Sequence, residues 1–296
     1  MSTPHPTVDF NNVSIVLPAK NEAGGLRQVI PSLQAYCPGA EIIVVNDGST
    51  DETVKICMEM KVKVVSHPYS KGNGAAIKSG ARAASREILV FMDADGQHKP
   101  EDVARLIARL GTGYDMVVGA RGLASQAGTH RAAVNIIYNA LASWMVEQKV
   151  EDLTSGFRAV KASLFKKFIY MLPNGFSYPT TITMSFFRAG YSVAYEPIFA
   201  PTRIGKSHIR LWRDGVRFFL IIFKIGTLYS PLKLFVPISL AFASTGIGYY
   251  LFTLINYHRF TNMSALLFIA SILVFLIGLI SEQISTLNYK EQSDDI

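Results

Sequence analysis

The sequence predicts an α/β protein: a Rossmann-like domain with a mostly parallel sheet, then an interfacial amphipathic helix and two transmembrane helices. Three observations carry this. Over roughly the first 120 residues, short apolar runs alternate five times with helical patterns, as parallel strands and crossover helices do. A polar cluster closes each of several runs. Residues 234–257 and 260–281 contain no Asp, Glu, Lys or Arg, giving 24 and 22 uncharged positions, where about 20 suffice to cross a hydrocarbon core.

The first run, 13–17, is rich in β-branched residues and ends at Pro18, followed by Ala19, Lys20, Asn21 and Glu22; a helical pattern begins after Gly24-Gly25. The second, 41–45, ends in Asn46-Asp47-Gly48-Ser49-Thr50-Asp51, where Ser, Thr and Asp supply a turn and a helix N-cap. A third, 62–65, leads to His67, and a helix starts near Gly72-Asn73-Gly74 after Lys71. The fourth, 88–92, reads as a strand buried on both faces and stops at Asp93 and Asp95, which flank Ala94 and precede Gln97. Pro100-Glu101-Asp102 opens the next helix with proline and acids in the first turn. The fifth run, 115–118, ends at Gly119-Ala120-Arg121.

In a parallel sheet these ends share one edge, where ligands bind. Asn21 and Glu22, Asp47 and Asp51, Asp93 and Asp95, and Arg121 are therefore expected around one crevice. Two carboxylates and Gln97 can offer oxygens to one hard cation completed by substrate phosphates; the alternative is a solvated Asp-rich turn. Gly72-x-Gly74 is neither a Walker loop nor a dinucleotide fingerprint. A base and ribose would then be held by strand-end carboxylates such as Asp47. Lys71 reads equally as a phosphate contact or an exposed turn lysine.

Beyond Arg121 come a polar stretch at 125–129, a helix over about 131–147, and Asp152-Leu-Thr-Ser-Gly-Phe-Arg158. That last segment is a capping turn or, through Arg158, a fork for phosphate or carboxylate. Arg203, Lys206 and Ser207 surround Gly205 in a candidate anion nest. Residues 209–225 alternate basic with bulky apolar side chains, Trp212 among them, as an interfacial helix does; a third buried helix is the alternative. Only His258 and Arg259 separate the two spans, which predicts a hairpin, and Lys224, Lys233 and Lys290 flank it. The Lys/Arg bias places the N-terminal region and both termini on the cytoplasmic side of the cell (inner) membrane in a multi-pass protein. The expected divisions are a domain at 1–208, interfacial helices at 209–230, the hairpin at 231–285 and a tail at 286–296.

Composition agrees. At 17% charged residues and mean hydropathy +0.24, the chain is too apolar for an ordinary soluble enzyme throughout. The net charge of +7 is concentrated just before the first span, suiting anionic lipid or phosphate rather than nucleic acid, for which no aromatic-basic module is visible. Cys37 and Cys57 lack metal-ligand spacing and read as packing thiols. The first ten residues lack a basic-then-apolar signal pattern.

The ordered set Pro18-Ala-Lys-Asn-Glu22, Val45-Asn-Asp-Gly-Ser-Thr-Asp51, Lys71-Gly-Asn-Gly-Ala-Ala76, Asp93-Ala-Asp-Gly-Gln-His98, Gly119-Ala-Arg121 and Asp152-x-Thr-Ser-Gly-Phe-Arg158 resembles the family 2 glycosyltransferases. With the two C-terminal spans it looks most like their polyprenyl-phosphate group, over about 12–285. The resemblance implies a GT-A domain and an inverting transfer of sugar from a GDP- or UDP-linked donor to a polyprenyl phosphate at the cytoplasmic face. It further implies that Pro18, Glu22, Val45 and Asp47 hold base and ribose, with Asn21, Lys71 and Ala94 also at the donor. Asp93, Asp95 and Gln97 would hold Mg²⁺ or Mn²⁺ on the diphosphate. Arg121 would face the phosphates or the acceptor, Asp152 the transferred sugar, and Arg203, Lys206, Ser207 and His208 would close over donor and lipid phosphate. His208 stands where relatives often carry Lys, which makes Lys206 a substitute. Asp95, Asp152 and Arg121 are the expected catalytic set, Asp152 as a positioner rather than a base, since a lipid monophosphate is already ionised. The oligomeric state is open. The competing functions are a processive polysaccharide synthase, for which two spans are too few to enclose a polymer channel, and an inactive membrane-docked scaffold that binds nucleotide sugar.

Overall fold

A computed structural model of the chain describes residues 8–121, 129–175, 178–199, 223, 226–228 and 230–290, with backbone alone at 129–135 and 288–290. It divides into two compact units, Met1–Ser207 and His208–Ile296.

The first unit is built on β1 (Val13–Ala19), β2 (Glu41–Asn46), β3 (Lys63–Ser66), β4 (Ile88–Phe91), β5 (Met116–Arg121), β6 (Arg158–Lys161) and β7 (Val193–Ile198). Its helices are α1 (Ala23–Tyr36), α2 (Thr53–Glu59), α3 (Asn73–Ala83), α4 (Pro100–Leu110), α5 (Thr129–Val146), α6 (Ala162–Lys167) and α7 (Tyr178–Arg188). The strands form one seven-stranded sheet in the order β3-β2-β1-β4-β6-β5-β7. Every pairing is parallel except those of β6, which runs against both β4 and β5.

Successive side chains of a strand point to opposite faces, so a strand with helices on both sides is apolar throughout. In β1, Ile15 and Leu17 join the layer made with Leu26 and Ile30 of α1 and Leu106 of α4. Val16, between them, joins Ile77 of α3 and Ile182 and Phe186 of α7. The five strands expected between residues 13 and 121 are all present within a few residues. The two later strands were not expected: β6 begins inside the segment read as an anion fork, and β7 follows it.

The second unit contains α8 (Pro231–Tyr257) and α9 (Asn262–Lys290). At 1.5 Å per residue α8 is roughly 40 Å long, enough to cross a hydrocarbon core of about 30 Å. Only 17% of each helix's apolar window is buried within the protein, and Leu240, Ile255 and Ile280 are among the exposed apolar side chains. Both helices are thus long and apolar enough to cross a membrane, and neither is packed as a core helix of a soluble domain would be. They join through His258, left-handed at φ +49°, a C-terminal cap that stops α8 abruptly. Ser239 and Ser271 each donate to the other's carbonyl at 2.9 Å, and Glu282 accepts the Leu232 N–H at 3.3 Å. Most of the expected interfacial helix over 209–230, and the polar stretch at 125–129 up to Gly128, lie outside the described residues.

Candidate active site

The chain runs from β1 outward through β2 to β3, then returns to place β4 on the other side of β1. Such a reversal leaves a crevice beyond the carboxyl ends of the two strands that part. A cavity of about 350 Å³ opens there, lined by Pro18, Ala19, Lys20, Glu22, Asp47, Ser70, Gly72, Asn73, Ala76, Asp93, Ala94 and Asp95. The loop after β4 is fixed from behind. Ala94 is buried, and a Cβ on Gly25, in the first turn of α1, would lie 2.2 Å from the Ala94 carbonyl oxygen, so only glycine lets that helix seat against the loop. The Gln97 N–H donates to Asp95 Oδ1 at 3.1 Å, closing an Asx-type turn.

Asp47 sits at the end of β2 with its carboxylate filled by its own chain. Oδ1 faces His67 Nδ1 at 2.7 Å and accepts the Lys71 N–H at 2.7 Å. Oδ2 accepts the Ser70 hydroxyl at 2.8 Å and the Gly72 N–H at 2.9 Å. Two carboxylate oxygens offer about four lone-pair positions, and all are taken. Burial pushes the Asp47 carboxyl up, but the bonds from His67, Lys71, Ser70 and Gly72 outweigh it and hold the group at about 2. The helix start that follows is also occupied: Gly74 and Ala75 donate to Gly175 O and Asn174 O at 3.3 and 2.9 Å. A Cβ on Gly74 would fall 2.0 Å from Pro173 O, so that approach requires glycine too.

Arg121, closing β5, meets Asp152 across a two-toothed contact: Nε to Oδ2 at 2.8 Å and one terminal nitrogen to Oδ1 at 3.0 Å. That nitrogen also reaches Thr154 Oγ1 at 2.7 Å. Asp152 is 2% exposed and further accepts the N–H groups of Arg121, Thr154 and Ser155 at 3.1 to 3.2 Å. Burial raises its pKa, but Arg121 and these N–H groups reverse that, and the carboxyl lies below its ordinary value. Burial likewise works against the Arg121 charge, and Asp152, with Asp93 adding to it, restores it above the usual guanidinium value. Both oxygens of Asp152 are thus occupied by Arg121, Thr154 and Ser155.

Comparison with known proteins settles the class. The glycosyl transferase family 2 model matches residues 14–170, and a second, described as the GtrB C-terminal hairpin, matches 230–287. The chain is a family 2 glycosyltransferase. It is 28% identical over 209 residues to the polyprenol monophosphomannose synthase of Mycolicibacterium smegmatis, covering 65% of this chain and 79% of that one. It is 27% identical over 209 residues to the dolichyl-phosphate hexose transferase of Haloferax volcanii, covering 70% and 90%. Among solved structures, glucosyl-3-phosphoglycerate synthase from Mycobacterium tuberculosis, in complex with Mn²⁺, uridine diphosphate and phosphoglyceric acid, superposes with a TM-score of 0.58 at 25% identity over 71% of this chain and 78% of that one.

Within this glycosyltransferase, Pro18, Glu22, Asp47, Asp93, Ala94 and Asp95 come together as expected. Others are placed differently. Val45 is fully buried in the sheet, where it packs beneath Gly80, so its side chain is a core residue and not a lining one. Asn21, at φ +57°, accepts the Thr50 N–H at 2.8 Å and braces the first two strand-end loops against each other. Lys71 lies outside the cavity lining, with Nζ 5.7 Å from the Tyr69 ring centre. Arg158 is no fork for a ligand. It is fully buried, donates to Ser155 O, and reaches Pro179 O at 3.2 Å and Thr183 Oγ1 at 3.1 Å. Burial holds its pKa below the ordinary value. Arg203, Lys206, Ser207 and His208 lie outside the described residues. Lys20, Ser70 and Asn73 line the cavity without having been singled out; Lys20 stands inside the first motif, but nothing in its type distinguishes it from a solvated lysine.

The oxygen donors suit the divalent cation that the fold family implies. Asp93 and Asp95 both reach the cavity, and Gln97 is beside them. Among the described residues no three His, Cys, Asp or Glu gather into a metal site. An open set of one or two carboxylates, completed by phosphate oxygens and water, is how Mg²⁺ is usually bound.

Proposed function

We propose that this glycosyltransferase moves a hexosyl group from a nucleoside-diphosphate sugar to the phosphate oxygen of a polyprenyl phosphate, at the cytoplasmic face of the membrane and with a divalent cation. One observation carries the reading: a cavity edged by Asp93 and Asp95 occurs in the same chain as a hairpin of two long, exposed, apolar helices, which matches the GtrB hairpin family. The names of the two relatives point to the same acceptor class. The Lys/Arg bias around the hairpin supports the orientation.

In the reaction the bond from the anomeric carbon to the diphosphate breaks, a bond from the acceptor phosphate oxygen forms on the opposite face, and the nucleoside diphosphate leaves with the electron pair. The transition state has oxocarbenium character, so the main task is to stabilise the departing charge. A cation held by Asp93, Asp95 and Gln97 would supply Lewis-acid stabilisation of that diphosphate. Arg121, fixed by Asp152, presents a positive charge in the field of Asp93. Arg203, Lys206, Ser207 and His208 are proposed to meet the acceptor phosphate. Asp47 shapes the donor side by holding residues 67–72.

The test incubates membranes carrying the full chain with a panel of nucleotide sugars, with and without polyprenyl phosphate and with and without chelator. Labelled sugar should enter the organic phase only with the lipid, vanish with chelator and return with Mg²⁺ or Mn²⁺. Transfer to a water-soluble acceptor without lipid overturns the acceptor assignment, and chelator-insensitive transfer overturns the cation.

A further inference from the structure

We propose that His98 is a positioning residue for Asp93, donating Nε2–H to one carboxylate oxygen so that the other is turned to the cation; this rests on the cation reading of Asp93. The ring of His98 is 8% exposed and lies on Phe157 at 4.7 Å between centres and 18° between planes. Phe157 is fully buried, and its carbonyl accepts the Gly119 N–H at 2.9 Å, so the platform beneath the imidazole belongs to the sheet. Gly156, next to it, lies beside the carboxylate of Asp93, where a Cβ would make ordinary contact with the two oxygens at 3.6 and 3.7 Å. Asp93 is thus flanked on one side by an immobilised ring.

The two ring nitrogens differ. Among the described residues Nδ1 is buried with no hydrogen-bond partner, whereas Nε2 stands 3.7 Å from Asp93 Oδ2. A neutral imidazole carries one proton; Nδ1 is unmatched in either tautomer, and only a proton on Nε2 meets an acceptor, the Asp93 carboxylate. The proton therefore belongs on Nε2, facing the carboxylate. The separation exceeds a hydrogen bond, but the Asp93 side chain is 46% exposed and its terminal torsion is soft. Such contacts commonly tighten when the site fills. A donor that fixes a ligating group typically changes metal affinity by about 10- to 100-fold. A ring serving only to fill space against Phe157 would need no nitrogen.

Mn²⁺ binding to the full chain in detergent, with uridine or guanosine diphosphate present, is followed by paramagnetic resonance for the wild type and for H98Q, H98N, H98L and D93N. Gln reaches the position of Nε2, Asn only that of Nδ1, and Leu offers no donor. Expected are near-wild-type affinity in H98Q, a loss of about 10- to 100-fold in H98N and H98L, and loss of binding in D93N. If D93N loses the ion while H98N and H98L keep it at wild-type affinity, the role of His98 is overturned and the cation reading stands. If D93N binds as the wild type does, the cation reading of Asp93 fails and this inference fails with it. Should H98L not fold, H98Q against H98N decides, and equal affinities overturn the proposal.

Discussion

Replacing Asp47 by Asn separates a latch from a ligand contact. The carboxylate receives four hydrogen bonds from residues 67–72. An amide keeps one accepting oxygen and turns two donors toward whichever pair faced the other. Holding the group at about 2, against an unfolded carboxyl near 3.9, corresponds to about 2 to 3 kcal/mol at neutral pH. The folded pKa is depressed, so this contribution is complete above the unfolded value and is lost as pH falls from about 4 toward 2. Amide exchange at pH 7, read by mass spectrometry on peptides spanning 63–75, should quicken roughly 30- to 150-fold at Lys71 and Gly72 in D47N. Acid unfolding between pH 5 and 2 should be shallower in the variant. If D47N raises the donor KM while leaving exchange at these amides unchanged, Asp47 is a ligand contact and the latch is wrong.

Asp152→Asn should lower stability by about 3 kcal/mol, because Arg121 loses its buried two-toothed partner, and should reduce kcat with it. The wild-type contribution from this depressed carboxyl should fade as pH drops below about 4, which thermal melts at pH 3 and 7 would reveal. Gly25→Ala should cost about 1 to 3 kcal/mol and weaken Mn²⁺ binding, since its Cβ meets the Ala94 carbonyl. Gly24→Ala, where a Cβ meets nothing within 4 Å, is the control and should be neutral or slightly stabilising by melting temperature. Ser239→Ala and Ser271→Ala should each cost about 0.6 kcal/mol, with a coupling of similar size in a double-mutant cycle; strict additivity would mean that the paired serines do not act together.

The sheet up to Arg121 was legible because β1, β2, β4 and β5 are covered on both faces and write themselves as nearly continuous apolar runs, while the edge strand β3, largely uncovered, shows only as the short run around Val64 and Val65. The edge of the sheet was legible because its strands end together, which brings Asp47, Asp93 and Asp95 around one crevice. What failed is what depends on direction and on pairing. An antiparallel strand starts where its parallel neighbours stop, so β6 delivers Asp152 to the site through a segment that looks like a loop. The motifs also do not say which polar group spends its bonds inside the protein. Asn21, the terminal nitrogens of Arg158 and the oxygens of Asp47 are satisfied by backbone groups and side chains up to 42 residues away, and residue type alone gives no sign of that.

The way β5 and β6 lie side by side has a consequence for diversification. Val118 is in register with Arg158, and Arg121 grips Asp152, so the intervening excursion leaves and rejoins the sheet through a clamped stem. Insertions or exchanges beyond that stem leave untouched the strands that carry Asp47, Asp93 and Asp95. The segment between Arg121 and Asp152 can therefore be rewritten as one cassette while those strands are inherited intact. The clamp also means that Arg121 is held in place only once the rest of the cassette, as far as Asp152, has folded back, so a grafted segment that misfolds would be silent rather than promiscuous.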